Sequence, residues 1–144
     1  MEDVGDRAVE LFSTGLNCAQ AVLGAFVRSS GTAEDTAYRM AAGFGAGTGR
    51  TGGVCGAVSG GVMALGLLVD YDPRGPLGQN ALYEVVQTFM KEFARVHGNV
   101  SCSGLLECDI GTAEGFTEAL GRGLFTSRCP EFVRTAAELV EELA

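Results

Sequence analysis

Apolar residues recur every three or four positions along most of the chain, which is the period of an amphipathic helix. In the first stretch, 4–13, this spacing places Val4, Ala8, Leu11 and Phe12 on one face. No stretch has the strict alternation of a half-buried strand. The pattern predicts helices over 4–13, from a cap at Asn17 to Ser29, from a capping box at Thr32 to about Ala42, over 54–69, over about 80–97, from a cap at Thr112 to about Gly121, and from Cys129 onward, with a short turn or helix at 102–107.

The segment 43–53 is rich in glycine and leads into the most apolar of these helices. Within that helix Gly56, Gly60 and Ala64 are spaced by four, so they form a ridge of small residues that lets another helix approach closely. This helix is therefore predicted to be buried and central. The predicted fold is all-α, a single compact domain over 1–144 with about six or seven helices.

Charge and apolar content narrow the classes of function. The net charge of −8 and the lack of a basic run argue against nucleic-acid binding. The apolar stretch 54–69 is short for a membrane span and contains four glycines, and the acidic start of the chain is unlike a secretory signal. We therefore expect a cytoplasmic protein without a membrane span, where stable disulfides are rare and cysteines serve metal, redox or catalytic chemistry.

Four of the five cysteines lie where helices are predicted to begin: Cys18, Cys55, Cys102 and Cys129. The unpaired N–H groups of a helix start favour a thiolate over a thiol, and the thiolate is the form that binds metal or attacks a disulfide. No two of the four are close in sequence, so a shared site has to be assembled by packing. The alternative is that they are small buried apolar residues; for Cys18 the two interpretations are evenly matched.

Several segments together resemble one known family. They are Asn17-Cys18-Ala19-Gln20, Gly43 to Arg50, Cys55-Gly56-Ala57-Val58-Ser59-Gly60, and the isolated Cys102 and Cys129. The resemblance is to redox-active proteins named for their cysteine pattern, C_GCAxxG_C_C. It implies a small, mostly helical domain in which these four cysteines are the characteristic ones.

A related domain accompanies haem in split-Soret cytochromes, where cysteines are associated with an iron–sulfur centre. By that analogy an iron–sulfur cluster is the expected cofactor, with Cys18, Cys55, Cys102 and Cys129 as its ligands. The chain has no Cys-x-x-Cys-His, so covalent c-type haem is not expected. Cys108 departs from the family pattern and is predicted to pack near Leu105 and Leu106, with a resolving or substitute-ligand role as the less favoured alternative.

The glycine-rich segment contains G-x-G-x-x-G at 47–52, but no strand precedes it and the Walker pattern fails at Phe44 and Arg50. Nucleotide binding is thus a minor alternative. We expect the segment to lead the backbone into the helix of Cys55 and to offer N–H groups to a thiolate or cluster. The predicted cofactor-binding residues are Gly45, Gly47, Gly49, Arg50, Gly53 and Gly56; Arg50 supplies positive charge near Cys55 or, equally, is a surface arginine.

Three functions remain open from the sequence. The favoured one is an iron–sulfur or other metal protein that transfers or senses electrons with an unidentified redox partner. The second is a metal-free thiol–disulfide protein in which two of the four cysteines cycle, and the third is a zinc-stapled structural module, with a homodimer as its candidate partner. His97 is expected to pack at a helix end, with a ligand role as the alternative. Nothing in the sequence establishes a catalysed reaction.

Overall fold

A computed structural model of the protein describes residues 2–144, and helices dominate it. The elements are α1 (Val4–Ser13), α2 (Cys18–Gly24), α3 (Val27–Ser30), α4 (Glu34–Ala41), a 3₁₀ turn (Ala42–Phe44), the short α5 (Gly45–Thr48), α6 (Gly56–Leu68), α7 (Pro76–His97), α8 (Cys102–Leu106), α9 (Ala113–Gly121), α10 (Leu124–Ser127) and α11 (Cys129–Leu143). The α5 segment is a left-handed turn and not a regular α-helix, because Ala46 and Gly47 have positive φ and ψ. Extended pairing in the described chain is limited to one antiparallel bridge between Val54 and Ser101. The all-α prediction is confirmed. None of the described helices combines the length and the apolarity that crossing a membrane needs.

The central position of α6 is confirmed, and its small residues explain it. A Cβ on Gly60 would lie 2.5 Å from the backbone oxygen of Ala19, so only glycine lets α2 pack this closely. Ala57, Val58, Ala64 and Leu65 are completely buried. The ridge predicted from the four-residue spacing is therefore the surface on which α2 packs.

The terminal helices pack on each other and close the bundle. α11 contacts α1, α2, α6 and α7, and its Val133 and Val140 are fully buried. At the rim of the α1–α11 contact, Arg134 donates to Asp6 at 2.7 Å. From α7, Phe89 and Phe93 are also fully buried, and all these residues belong to one hydrophobic core.

Two predicted helix boundaries near residue 30 are wrong. The second helix ends at Gly24, and a separate short helix, α3, follows Phe26. The capping box at Thr32 does not form, because the Thr32 hydroxyl pairs with Ser30 at 2.9 Å and Ala33 occupies the cap position without a side-chain bond. Local hydroxyl pairing competes with capping in such turns.

The long helix α7 begins at Pro76 rather than near residue 80. Proline suits the first turn of a helix because its missing N–H is not needed there. The short helix α10 was not predicted at all. These differences lengthen, subdivide or add helices, so the predicted number of six or seven is too low, and they leave the helical class unchanged.

Candidate functional site

All four signature cysteines lie at helix starts, as predicted. Cys18, Cys102 and Cys129 are the first residues of α2, α8 and α11, and Cys55 is the residue that caps α6. Cys55, Cys102 and Cys129 are buried, and Cys18 is partly exposed. No disulfide joins the described cysteines.

Local capping interactions hold these helix starts in place. Asn17 and Gln20 form a reciprocal capping box at α2, with bonds of 3.0 and 2.9 Å. Ser101 accepts a bond of 3.0 Å from the Gly104 amide at the start of α8. The positions of Cys18 and Cys102 are thus fixed by the residue just before each helix, whereas the starts of α6 and α11 have no side-chain cap bond.

Backbone hydrogen bonds bring Cys55 and Cys102 side by side. The Cys55 amide donates to the Val100 oxygen at 2.7 Å, and the Cys102 amide donates to the Gly53 oxygen at 2.6 Å. The bridge between Val54 and Ser101 lies between these two bonds. Two cysteines far apart in sequence therefore begin their helices at the same place.

The four cysteines line a single pocket of about 290 Å³. The other described residues that line the pocket are mostly apolar, and Arg50 is the only charged residue among them. They are Phe12, Asn17, Ala46, Arg50, Gly56, Leu105, Leu106, Phe116, Leu120, Phe125 and Phe132. Four cysteines that are far apart in sequence therefore lie around one pocket. The pocket therefore presents four thiols in an apolar setting.

Gly56 makes room for the Cys18 sulfur. A Cβ at position 56 would overlap Cys18 Sγ and would lie 2.9 Å from the Phe44 backbone oxygen. The glycine that follows Cys55 thus allows another cysteine to approach the start of α6. This gives the Cys-Gly pair a steric reason.

Burial raises the pKa of every thiol in the pocket, contrary to the expectation of favoured thiolates. The pKa of Cys102 is raised to about 11 and that of Cys129 to about 12, in both cases mainly by loss of solvent. For Cys18 and Cys55 burial is again the main cause of a raised pKa, and it outweighs the backbone amides that face them, among them Ala46 and Ala57. The negative charge of a Cys18 thiolate would raise the pKa of each of the other three further.

The arrangement of the donor side chains argues against a site for a single metal ion. Within residues 2–144, no group of three or more His, Cys, Asp and Glu side chains is arranged to hold a metal ion. A single zinc ion needs its ligands at about 2.0–2.3 Å from one point. The thiols thus surround a space instead of converging on one point.

The predicted glycine set divides into two groups. Gly56 and Arg50 line the pocket, whereas Gly45, Gly47, Gly49 and Gly53 shape the loop behind it. A Cβ on Gly47 would lie 2.8 Å from Cys102 Cβ, so this glycine lets the loop pack against α8. Ala46, which the sequence did not indicate, provides the loop amide that faces the Cys18 thiol.

His97 and Cys108 lie outside the pocket lining. His97 is at the end of α7, where its Nε2 is 2.8 Å from Thr135 Oγ1 and its ring packs against Phe93 and Phe132. The Cys108 thiol is hydrogen-bonded to Glu118 at 2.8 Å. The packing role predicted for His97 fits this geometry, and its alternative role as a ligand of the pocket does not.

Comparison with known proteins agrees with the geometry of the site. Residues 16–143 match the family model described as "Putative redox-active protein (C_GCAxxG_C_C)". The chain belongs to this C_GCAxxG_C_C family. Searches among curated proteins and among solved structures found no match.

The C_GCAxxG_C_C match covers all four pocket cysteines and the helices that position them. The sequence interpretation found these cysteines but missed the aromatic wall. Phe12, Phe116, Phe125 and Phe132 come from four different helices, and each was indistinguishable in sequence from an ordinary core residue. The candidate site therefore combines a recognisable cysteine set with an aromatic wall that has no sequence signal.

Proposed function

We propose that the four-cysteine pocket holds an iron–sulfur cluster and that the protein transfers or senses electrons. One observation carries the proposal: four thiols from four helices line the same pocket of about 290 Å³. Cysteine thiolates are the usual ligands of [2Fe–2S] and [4Fe–4S] clusters. Four thiols are the donor type of such a group, although within residues 2–144 no set of donors is already arranged to hold a metal ion.

The residues have distinct tasks in this proposal. Cys18, Cys55, Cys102 and Cys129 would be the ligands, and a bound cluster would supply one-electron redox chemistry. Binding to metal deprotonates a thiol outright, so the raised thiol pKa values do not oppose ligation. The phenylalanine side chains give the pocket an apolar wall, and the amide of Ala46 supplies a donor beside Cys18; both features influence the reduction potential of such a centre.

The metal-free alternative is supported by the central position of Cys18, whose charge influences all three other thiols. In that case two thiols lose two electrons and two protons as one S–S bond forms, and the disulfide of a partner protein is reduced to two thiols. Cys18 would then be one member of each candidate disulfide pair, with Cys55, Cys102 or Cys129 as the other. The family description, redox-active, is compatible with both chemistries.

The zinc-stapled module has less support. No donor group in residues 2–144 is arranged around a single point, and a structural zinc ion needs four ligands in tetrahedral geometry. A cluster distributes its ligands over several iron atoms, so it suits donors that surround a space.

Iron and acid-labile sulfide analysis with a visible spectrum tests the proposal. The protein is purified without oxygen and, if colourless, reconstituted with iron and sulfide. We expect stoichiometric iron and sulfide with visible absorbance, lost in Cys18→Ser, Cys55→Ser, Cys102→Ser and Cys129→Ser. Cys108→Ser is the matched control, because this cysteine is buried beside the pocket without lining it, and it should retain the chromophore.

Protein that binds no iron and sulfide after reconstitution would contradict the cluster. Mild oxidation followed by peptide mass spectrometry then tests the metal-free alternative. A disulfide between two of the four pocket cysteines would support it, and four thiols that stay reduced would exclude it. Stoichiometric zinc without any redox response would favour the structural module.

A further inference from the structure

The four-cysteine pocket reaches solvent beside α9. Phe116 and Leu120 of this helix line the pocket, and Leu120 is 56% exposed. The main packing partner of α9 is the short helix α10. We infer that the stacking of Arg50 on Phe116 closes this side of the pocket and slows the access of solvent and small reagents to the thiols. The inference rests on the proposed function only in its assumption that the four pocket thiols are the functional groups of the protein.

The contact between Arg50 and Phe116 joins two lining residues of the pocket that are far apart in sequence. The guanidinium carbon of Arg50 lies 4.3 Å from the centre of the Phe116 ring, within the range of a cation–π interaction. Phe116 packs in turn on Phe125, with ring centres 5.5 Å apart. Arg50 ends the glycine loop, whereas Phe116 belongs to α9 and Phe125 to α10, so the contact ties the loop to the exposed side of the pocket lining.

The backbone at Arg50 gives a second reason to assign it a role. Residues 46–50 all have positive φ, and three of them are not glycine: Ala46 (53°), Thr48 (65°) and Arg50 (67°). A left-handed backbone is unfavourable for residues with a Cβ. Glycine would satisfy the backbone at position 50 better than arginine, so the arginine side chain has to be explained by what it contacts.

Hydrogen bonds hold this left-handed turn rigidly. The Gly53 amide donates to the Gly47 oxygen at 2.9 Å, and the Thr51 hydroxyl donates to the same oxygen at 2.5 Å. The Gly49 amide donates to the Gly45 oxygen at 3.0 Å. The loop therefore presents Arg50 from a fixed backbone, and Phe116 is the ring it meets.

Native-state alkylation of the reduced, chelator-treated full-length chain tests the inference. N-ethylmaleimide labels the thiols, and peptide mass spectrometry gives a rate for each cysteine. Arg50→Gly and Phe116→Leu should label the four pocket cysteines about two to five times faster than the parent, the range expected from losing an exposed cation–π contact. Cys108 lies outside the pocket lining and should label at the same rate in all proteins.

Thr48→Gly is the matched control, because it relieves the same kind of strain in the same turn and Thr48 does not line the pocket. Both Thr48→Gly and Arg50→Gly should raise the melting temperature, but only Arg50→Gly should speed pocket labelling. Arg50→Lys, which keeps the charge and loses the planar stacking group, should give an intermediate rate.

Parent-like labelling of Arg50→Gly and Phe116→Leu would overturn the inference. Equal acceleration in Thr48→Gly would also overturn it, since loop flexibility would then explain the effect. Acceleration of Cys108 together with the pocket cysteines would do the same, because the Cys108 thiol is bonded to Glu118 of α9 and its labelling would indicate loosening of the whole helix or general unfolding. Because the assay uses protein without iron, failure to find a cluster leaves its result intact, and a negative labelling result leaves the cluster proposal untouched.

Discussion

At the scale of single residues, burial affects the pKa of the pocket thiols more than the helix N-termini do. All four cysteines have the helix-start position that favours a thiolate, yet each pKa is raised. A helix N-terminus stabilises a nearby anion by about 0.3–1 kcal/mol near the surface. Removing an ion from water costs several kcal/mol. The larger effect decides, so the thiols are protonated at neutral pH unless metal displaces the protons.

Gly56 offers a test of the steric argument for the Cys-Gly pair. In Gly56→Ala the new Cβ overlaps Cys18 Sγ and meets the backbone of Phe44 and Ala19, which cannot move aside easily. Overpacking of this kind costs roughly 1–3 kcal/mol. We expect a corresponding loss in the free energy of unfolding, measured by urea denaturation, together with loss of any bound iron.

Gly66→Ala is the control for this substitution, because it lies in the same helix and its Cβ would meet only the Tyr71 hydroxyl at 3.7 Å. Alanine is a better helix former, so this variant should gain roughly 0.5–1 kcal/mol. If Gly56→Ala were equally stable, the close approach of Cys18 to Gly56 would not be a constraint.

At the scale of elements, the sequence was informative where a helix has its own start signal. Asn17, Ser101 and Thr112 cap α2, α8 and α9 with side-chain bonds. The prediction failed at Thr32, where a competing hydroxyl pair forms instead of the cap. It also gave no indication of the left-handed turn at 46–50, since Ala46 and Thr48 are residues that ordinarily avoid this conformation.

The cap of α2 links helix stability to the position of Cys18. Asn17 accepts from the Gln20 amide at 3.0 Å and donates to the Ala42 oxygen at 2.9 Å. Asn17→Ala loses both bonds and should destabilise the protein by roughly 1–2 kcal/mol in urea denaturation. Asn17→Asp keeps the acceptor and loses only the donor, so its stability should lie between those of Asn17→Ala and the parent.

An Asn17→Asp protein as unstable as Asn17→Ala would show that the bond to Ala42, and not the cap, holds the start of α2. Equal stability of all three proteins would contradict a structural role for either bond. In the expected case, the cap rather than the loop contact fixes the backbone on which Cys18 is placed.

At the scale of the whole molecule, the cysteine pocket depends on contacts that sequence spacing does not encode. Cys55 and Cys102 lie side by side because segments 53–55 and 100–102 exchange backbone hydrogen bonds, although α6 and α7 separate these segments in the sequence. The sequence identified the four cysteines, and the family resemblance to C_GCAxxG_C_C was confirmed. The aromatic wall could not be predicted, because a phenylalanine facing a pocket and one facing the core follow the same helical spacing.

Because His97 packs at the contact between the long helices α7 and α11, we expect the stability of the whole fold to depend on pH through this residue. Its ring lies between Phe93 and Phe132 and pairs with Thr135, and burial lowers its pKa below the ordinary 6.5. The unfolded chain therefore binds the proton more readily than the folded one, and protonation favours unfolding. Stability should be fully present above about pH 6.5 and should decrease as the pH falls below it.

Urea denaturation at pH 7.5 and pH 5.5 measures this dependence, because most carboxylates stay ionised over that range. His97→Gln cannot titrate and retains a polar group for Thr135, so it should lose much less stability than the parent between the two pH values, whatever its absolute stability. The nearby Glu131 raises the His97 pKa and Arg128 lowers it. Because these effects oppose each other, substitution of either residue alone should not reproduce the result expected for His97→Gln. An equal loss in parent and variant would mean that His97 does not control the acid sensitivity of the fold.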